Sequence, residues 1–145
     1  LSAGGSKLLL DTCALIWLAN GSRLAPAALA ALQEAASAGG VFVSPISAWE
    51  IGMLSCPRGG RAPPIACVPN PLAWFERAQR VFSLRVAPLS PAIAIAASML
   101  PGQPHADPAD RLIIATARDL ALAIVTRDSR IADYAGQGHV SMVAC

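Results

Sequence analysis

Short, wholly apolar runs alternate along the chain with longer stretches whose apolar residues recur at three- and four-residue spacing, the signature of strands alternating with helices. Lys7 to Leu10 reads as a buried strand that stops at Asp11, and Thr12 to Leu18 continues with helical spacing. Pro26 to Ala38 is Ala-rich, opens on Pro and closes on Gly39-Gly40, the usual start and stop of a helix. Val41 to Ser44 is a second strand. Ser44 and Pro45 then supply the N-cap and first position of a helix carrying Ile46, Trp49, Glu50, Met53 and Leu54. Helices are expected again over Pro71 to Phe82, Pro91 to Leu100, from an Asp107-Pro108 cap to about Leu120, and over Ser129 to Tyr134. Further strands are expected over Leu84 to Leu89, Ala123 to Thr126 and His139 to Val143. Between Cys56 and Pro71 five prolines and two glycines predict an irregular arm.

Strands that are apolar on both faces and separated by helices belong to a parallel sheet covered on both sides. The expected fold class is therefore α/β. At 145 residues the chain fits one domain. The opening 1–6, which lacks an initiator Met, is read as a leader or cloning remnant, and 7–145 as the single domain.

Composition narrows the function classes. With 54% hydrophobic and 14% charged residues the chain is no disordered segment, and prolines interrupt its longest uncharged stretch well short of a membrane span. A formal charge of +2 is too small for bulk electrostatics to mark a nucleic-acid binder. The cations are ten Arg and one Lys, suited to bidentate phosphate contacts where they cluster. Cys13, Cys56, Cys67 and Cys145 show neither CxxC spacing nor the density of a disulfide scaffold, so a reducing, cytoplasmic setting is expected. His105 and His139 are isolated, without the spacing of a zinc site.

The candidate chemistry lies in the carboxylates. In an open parallel sheet ligands sit beyond the carboxyl ends of the strands. Asp11 and Asp128 fall there, and Asp110 and Glu50 lie on helices that follow such ends. Capping would account for Asp11, Asp110 and Asp128 singly, and a plain N-cap is the simpler reading of Asp107. Glu50, in the middle of an apolar helix, has no such role and needs a partner, for instance an Arg, or a metal. Carboxylates converging without His or Cys suit a hard cation, Mg²⁺ or Mn²⁺, which takes oxygen ligands and can orient a water for phosphodiester cleavage.

Asp11-Thr12 after an apolar strand, Ser44-Pro-Ile-Ser-Ala-Trp-Glu50-Ile, Asp107-Pro-Ala-Asp110-Arg-Leu-Ile-Ile-Ala-Thr-Ala117 and Val125-Thr-Arg-Asp128 together resemble the PIN-domain ribonucleases, and among them the VapC toxins of type II toxin–antitoxin pairs. The resemblance runs over nearly the whole chain from Lys7, and its 107–117 segment is the most specific part. It implies a PIN-like three-layer fold, a central, mainly parallel twisted sheet between helices. It further implies a Mg²⁺- or Mn²⁺-dependent endoribonuclease whose metal-binding and catalytic acids are Asp11, Glu50, Asp110 and Asp128, with Thr12 and Thr126 in support. RNA as substrate, a cognate antitoxin as inhibitor and a homodimer are implied as partners, without a membrane. Arg58 and Arg61 in the arm, and Arg111 beside Asp110, are the candidate RNA contacts. The arm departs from the family's usual Lys-containing helix and Gly-Arg-Leu turn.

Competing classes lack their residues. Neither GxGxxG nor GxxxxGK occurs, against a nucleotide-binding module. A phosphatase of the haloacid dehalogenase type needs a second Asp two residues after the first, where Cys13 stands. A non-catalytic RNA- or protein-interaction module on the same fold is the remaining alternative.

Overall fold

The structure is a computed structural model that describes residues 6–104 and 106–145. The expected leader, save Ser6, and His105 lie outside the described residues. Among these residues, strands β1 (Leu8–Leu10), β2 (Val41–Val43), β3 (Arg85–Val86), β4 (Ala123–Thr126) and β5 (Ser141–Ala144) form one sheet in the order β3-β2-β1-β4-β5. Every pairing is parallel. The α/β expectation holds. The two outer strands differ from the sequence reading: β3 keeps only two residues of the expected Leu84 to Leu89, and β5 begins at Ser141 rather than His139. Both are edge strands, where pairing with one neighbour constrains the ends least.

Helices α1 (Thr12–Ala19), α2 (Pro26–Ser37), α3 (Pro45–Leu54), α4 (Pro71–Val81), α5 (Pro91–Ser98), α6 (Pro108–Leu120) and α7 (Ser129–Gly136) cover the sheet. From α2 to α6 each opens with Pro, which lacks the N–H that a first helical turn leaves without a partner. Ser44, Asn70, Ser90 and Asp107 accept backbone N–H bonds as N-caps of α3 to α6. The start of each of these helices is thus written locally.

Alternation along the strands divides the core in two. Leu8 and Leu10 of β1 pack with Val41, Val43 and Val125 against Leu15 of α1, Leu32 of α2, Ile51 of α3 and Trp74 of α4. Leu9 and Ile124 face the other way, onto Ile93 of α5, Ile113 and Ile114 of α6, and Ile131 and Tyr134 of α7. Side chains of a strand alternate between its faces, so a Leu-Leu-Leu run must be covered on both. This is the three-layer arrangement the sequence implies. Arm residues Ile65 and Cys67 pack on the first of these cores, and the arm's regular pairing is a single bridge between Arg58 and Arg61.

Strand order reverses at β1. The chain moves from β1 outward to β2 and β3, then returns to place β4 on the other side of β1. A crevice therefore opens between the carboxyl ends of β1 and β4, the usual ligand position in such sheets.

Candidate active site

At that crevice lies a cleft of about 350 Å³ lined by Asp11, Glu50, Asp107, Asp110 and Asp128, five of the chain's nine acidic residues. Thr12, Cys13, Trp17, Arg127 and Arg130 complete its walls. A larger hollow of about 760 Å³ opens at the opposite ends of the strands, against Lys7, Arg118 and His139. No carboxylate lines it, so the smaller cleft holds the candidate chemistry.

Each acid is delivered by a strand end or a helix start. Asp11 follows β1, where its N–H bonds the Val125 carbonyl of β4 at 3.2 Å, and its Oδ1 caps α1 by accepting the Ala14 N–H at 2.7 Å. Its Oδ2 accepts from the hydroxyl of Thr126, the last residue of β4. That hydroxyl oxygen also accepts the Asp128 N–H at 2.9 Å. Asp128 caps α7 through Arg130 N–H at 2.8 Å and pairs with the Arg130 guanidinium at 3.4 Å. Asp107 caps α6 by accepting the Asp110 N–H at 3.0 Å. Capping and a chemical position coincide here: the helix starts that these acids cap present partial positive charge to the cleft and offset part of the carboxylate repulsion.

Glu50 reaches the cleft from α3. The Thr12 hydroxyl donates to its Oε1 at 2.5 Å, and with that proton committed the Ser47 hydroxyl donates to Thr12 across 2.9 Å. The partner is therefore a hydroxyl from the strand-exit dipeptide, not the Arg that its place in the helix suggests.

The field of the cluster is visible in its proton affinities. Asp110 is pushed up to about 7, first by burial and then by Asp107, Asp128, Glu50 and Asp11. Burial raises Asp11 against the lowering bonds from Thr126 and Ala14, with Asp128 adding to the rise. Glu50 is raised by burial, against the Thr12 bond, with Asp107 and Asp11 adding. Desolvation raises the Cys13 thiol as well, followed by all four of Asp11, Glu50, Asp110 and Asp128. That thiol is a poor nucleophile here.

The structure thus brings together Asp11, Glu50, Asp110, Asp128 and Thr12, with Thr126 directly behind Asp11. Arg58, Arg61 and Arg111 do not line the cleft. Arg58 and Arg61 sit in the arm beyond α3, and the Nε of Arg111 donates to the Ala97 carbonyl at 2.9 Å. The cations that do line it are Arg127 and Arg130, with Asp107 as a fifth acid. Sequence offered a signal for both arginines, since they flank Asp128 at the end of an apolar strand.

Residues 8–137 match the family model of the PIN domain, and the chain belongs to that family. Over 131 residues it is 33% identical to Ribonuclease VapC22 of Mycobacterium tuberculosis, an alignment that covers 89% of this chain and 92% of that protein. Its fold is similar to DNA-bound VapBC from Salmonella typhimurium, with a TM-score of 0.65 at 17% identity over 96% of this chain and 98% of that one. It is also similar to VapBC2 from Rickettsia felis bound to a promoter DNA fragment, with a TM-score of 0.63 at 14% identity over 94% and 97% of the two chains. Among the described residues no helix is long and apolar enough to cross a membrane.

Proposed function

We propose that the chain is a divalent-metal-dependent endoribonuclease, the toxin of a toxin–antitoxin pair, acting in the cytoplasm. The observation that carries this reading is the gathering of five acids at the β1/β4 crevice of a PIN-domain chain one-third identical to a VapC ribonuclease. The donor set fits a hard cation, Mg²⁺ or Mn²⁺: carboxylates dominate, and among the described residues no His lines the cleft. Among the described residues no group of three or more His, Cys, Asp and Glu side chains is arranged to hold an ion directly. Carboxylates that hold a Mg²⁺ ion partly through its waters are consistent with so open a set.

Asp11, Glu50 and Asp110 would hold the cation, and Asp128 would tune the site from its edge. Thr126 fixes the Asp11 carboxylate and Thr12 fixes that of Glu50, so two ligands are oriented before any ion arrives. When bound, the ion supplies orientation of the attacking water and neutralisation of charge on the leaving oxygen. An antitoxin partner is supported by the resemblance to the VapC toxins and by the one-third identity to a ribonuclease named VapC22. By the same reading a cognate antitoxin covers this cleft, and the toxin forms a homodimer.

The open ligand arrangement favours a second reading, a non-catalytic interaction module on the same fold. One experiment separates them: total RNA is incubated with the purified chain and Mn²⁺, and new 5′ ends are sequenced, with Asp11→Asn as control. Discrete ends that need both metal and Asp11 establish the nuclease. RNA that stays intact at micromolar protein overturns it.

A further inference from the structure

A cleft lined by five acids repels the phosphates of its own substrate, so an RNA strand must be held by groups at the rim. Arg130 is engaged with Asp128. The other cation of the cleft, Arg127, is built in differently. Its guanidinium lies over the Trp17 indole, 4.1 Å from the ring centroid, and one terminal nitrogen donates to the Arg23 carbonyl at 2.6 Å. One face on an aromatic ring and one edge on a carbonyl fix the plane of the group, while the residue itself is exposed. The Cys145 thiol shares a hydrogen bond with the same side chain, and the exposed residue lines the cleft together with Asp128. Trp17 reaches the same wall because it stands four residues after Cys13 on α1, on one helix face.

A rigid, exposed, planar cation next to a cluster of carboxylates has the chemistry that seats a nucleobase. Unpaired bases stack on aromatic rings and on guanidinium planes, and a base inside a duplex has no free face to offer. We propose that Trp17 and Arg127 form a stacking shelf that seats one unpaired nucleotide of the RNA beside the carboxylates, the base on the guanidinium plane and the adjoining phosphate on its solvent-facing N–H groups. The shelf selects single-stranded RNA or a loop over duplex. This inference rests on the ribonuclease reading and assigns two residues outside the acid cluster to holding the substrate.

The test uses the full chain with a fluorescein-labelled mixed-sequence RNA oligonucleotide, single-stranded or annealed to its complement. Cleavage is followed in Mn²⁺ and binding by anisotropy in Ca²⁺. Arg127→Ala is expected to raise KM and Kd for the single strand about tenfold, within what one base stack is worth, with kcat changed less than about twofold. Arg127→Lys keeps the charge but not the plane and should stay within about threefold of Arg127→Ala. Trp17→Leu, which removes the plate beneath the guanidinium, should fall in the same range at a melting temperature near wild type. A 2-aminopurine placed next to the cleaved bond should be quenched by wild type and not by Arg127→Ala.

Full recovery by Arg127→Lys would reduce the shelf to a point charge and overturn it. So would a loss confined to kcat and accompanied by a fall in melting temperature, which marks a structural staple. Wild type that cuts RNA while Arg127→Ala matches it sinks the shelf and leaves the nuclease standing. Wild type that binds the single strand without cutting sinks the nuclease, and the shelf is then judged on Kd alone. If wild type neither binds nor cuts, both fail.

Discussion

The hydroxyl of Thr126 donates to Oδ2 of Asp11, joining the last residue of β4 to the first residue beyond β1. Its oxygen takes the Asp128 N–H at the same time, so one fully buried side chain sets the spacing of two acids. Thr126→Val keeps the shape and removes both bonds, leaving a buried carboxylate oxygen and an N–H without this partner. Stability should fall by about 1–3 kcal/mol. Metal-dependent cleavage should fall by roughly tenfold or more, as for other groups that orient metal ligands. Thr126→Ser retains the hydroxyl and should recover most of both. Equal cleavage by the Val and Ser variants would show that Asp11 needs no such support.

The acids themselves are ranked by position. Asp11→Asn, Glu50→Gln and Asp110→Asn should each lower Mg²⁺- or Mn²⁺-dependent cleavage by at least about tenfold with the fold intact. Asp128 is already paired with Arg130 at the cleft's edge, so Asp128→Asn should be milder. Initial rates on one RNA, with circular dichroism as the folding check, decide each case. A variant that keeps full activity removes its residue from the site.

Much of this arrangement was legible in the sequence because it is written in short range. An apolar triplet ending at Asp11, and Ser44-Pro45 or Asp107-Pro108 opening a helix, need only their neighbours to be read. The family resemblance names Thr12 and Thr126 as supporting residues, but which acid each one holds is not written locally. Thr126 and Asp11 are separated by 115 positions, and Glu50 and Thr12 by 38; only the sheet order brings them together. Arg58 and Arg61, the candidate phosphate contacts of the arm, do not line the cleft, and Ile65 and Cys67 of the same arm pack on the core. The Trp17–Arg127 pair spans α1 and the end of β4, and no local pattern joins its two residues. Asp107 looked like a cap and is one, but it also raises Asp110 and Glu50.

Asp110 gives the metal-free protein an unusual dependence on pH. Its carboxyl, near 4 in the unfolded chain, is pushed up to about 7 in the folded one. Between these values the folded state holds a proton that the unfolded state has released. Stability therefore falls as pH rises from about 4 to about 7, and this group adds no further change above that. Asp11 and Glu50 are raised as well and act with the same sign. The side chain is only partly buried, so solvent screening reduces the effect to about 1 kcal/mol, or roughly 2–4 °C in melting temperature for a domain of this size. In EDTA the wild type should melt higher at pH 5 than at pH 8, and Asp110→Asn should flatten that difference. A slope that survives the substitution would assign it to other groups.

A divalent cation should relieve the same repulsion. Binding to the folded state alone stabilises by RT ln(1 + [L]/Kd), about 2.7 kcal/mol at a metal concentration 100-fold above Kd. The melting temperature of wild type at pH 8 should then rise by several degrees in Mn²⁺. Asp11→Asn/Asp110→Asn removes two of the mutually repelling acids, so the double variant should melt above wild type in EDTA and gain little from the ion. The two halves of this expectation are independent. A higher melting temperature in EDTA reports the repulsion, and the lost response to Mn²⁺ reports the binding site. Calorimetry showing equal Mn²⁺ stabilisation in both proteins would place the ion away from Asp11 and Asp110, and these carboxylates would revert to their roles at the helix starts.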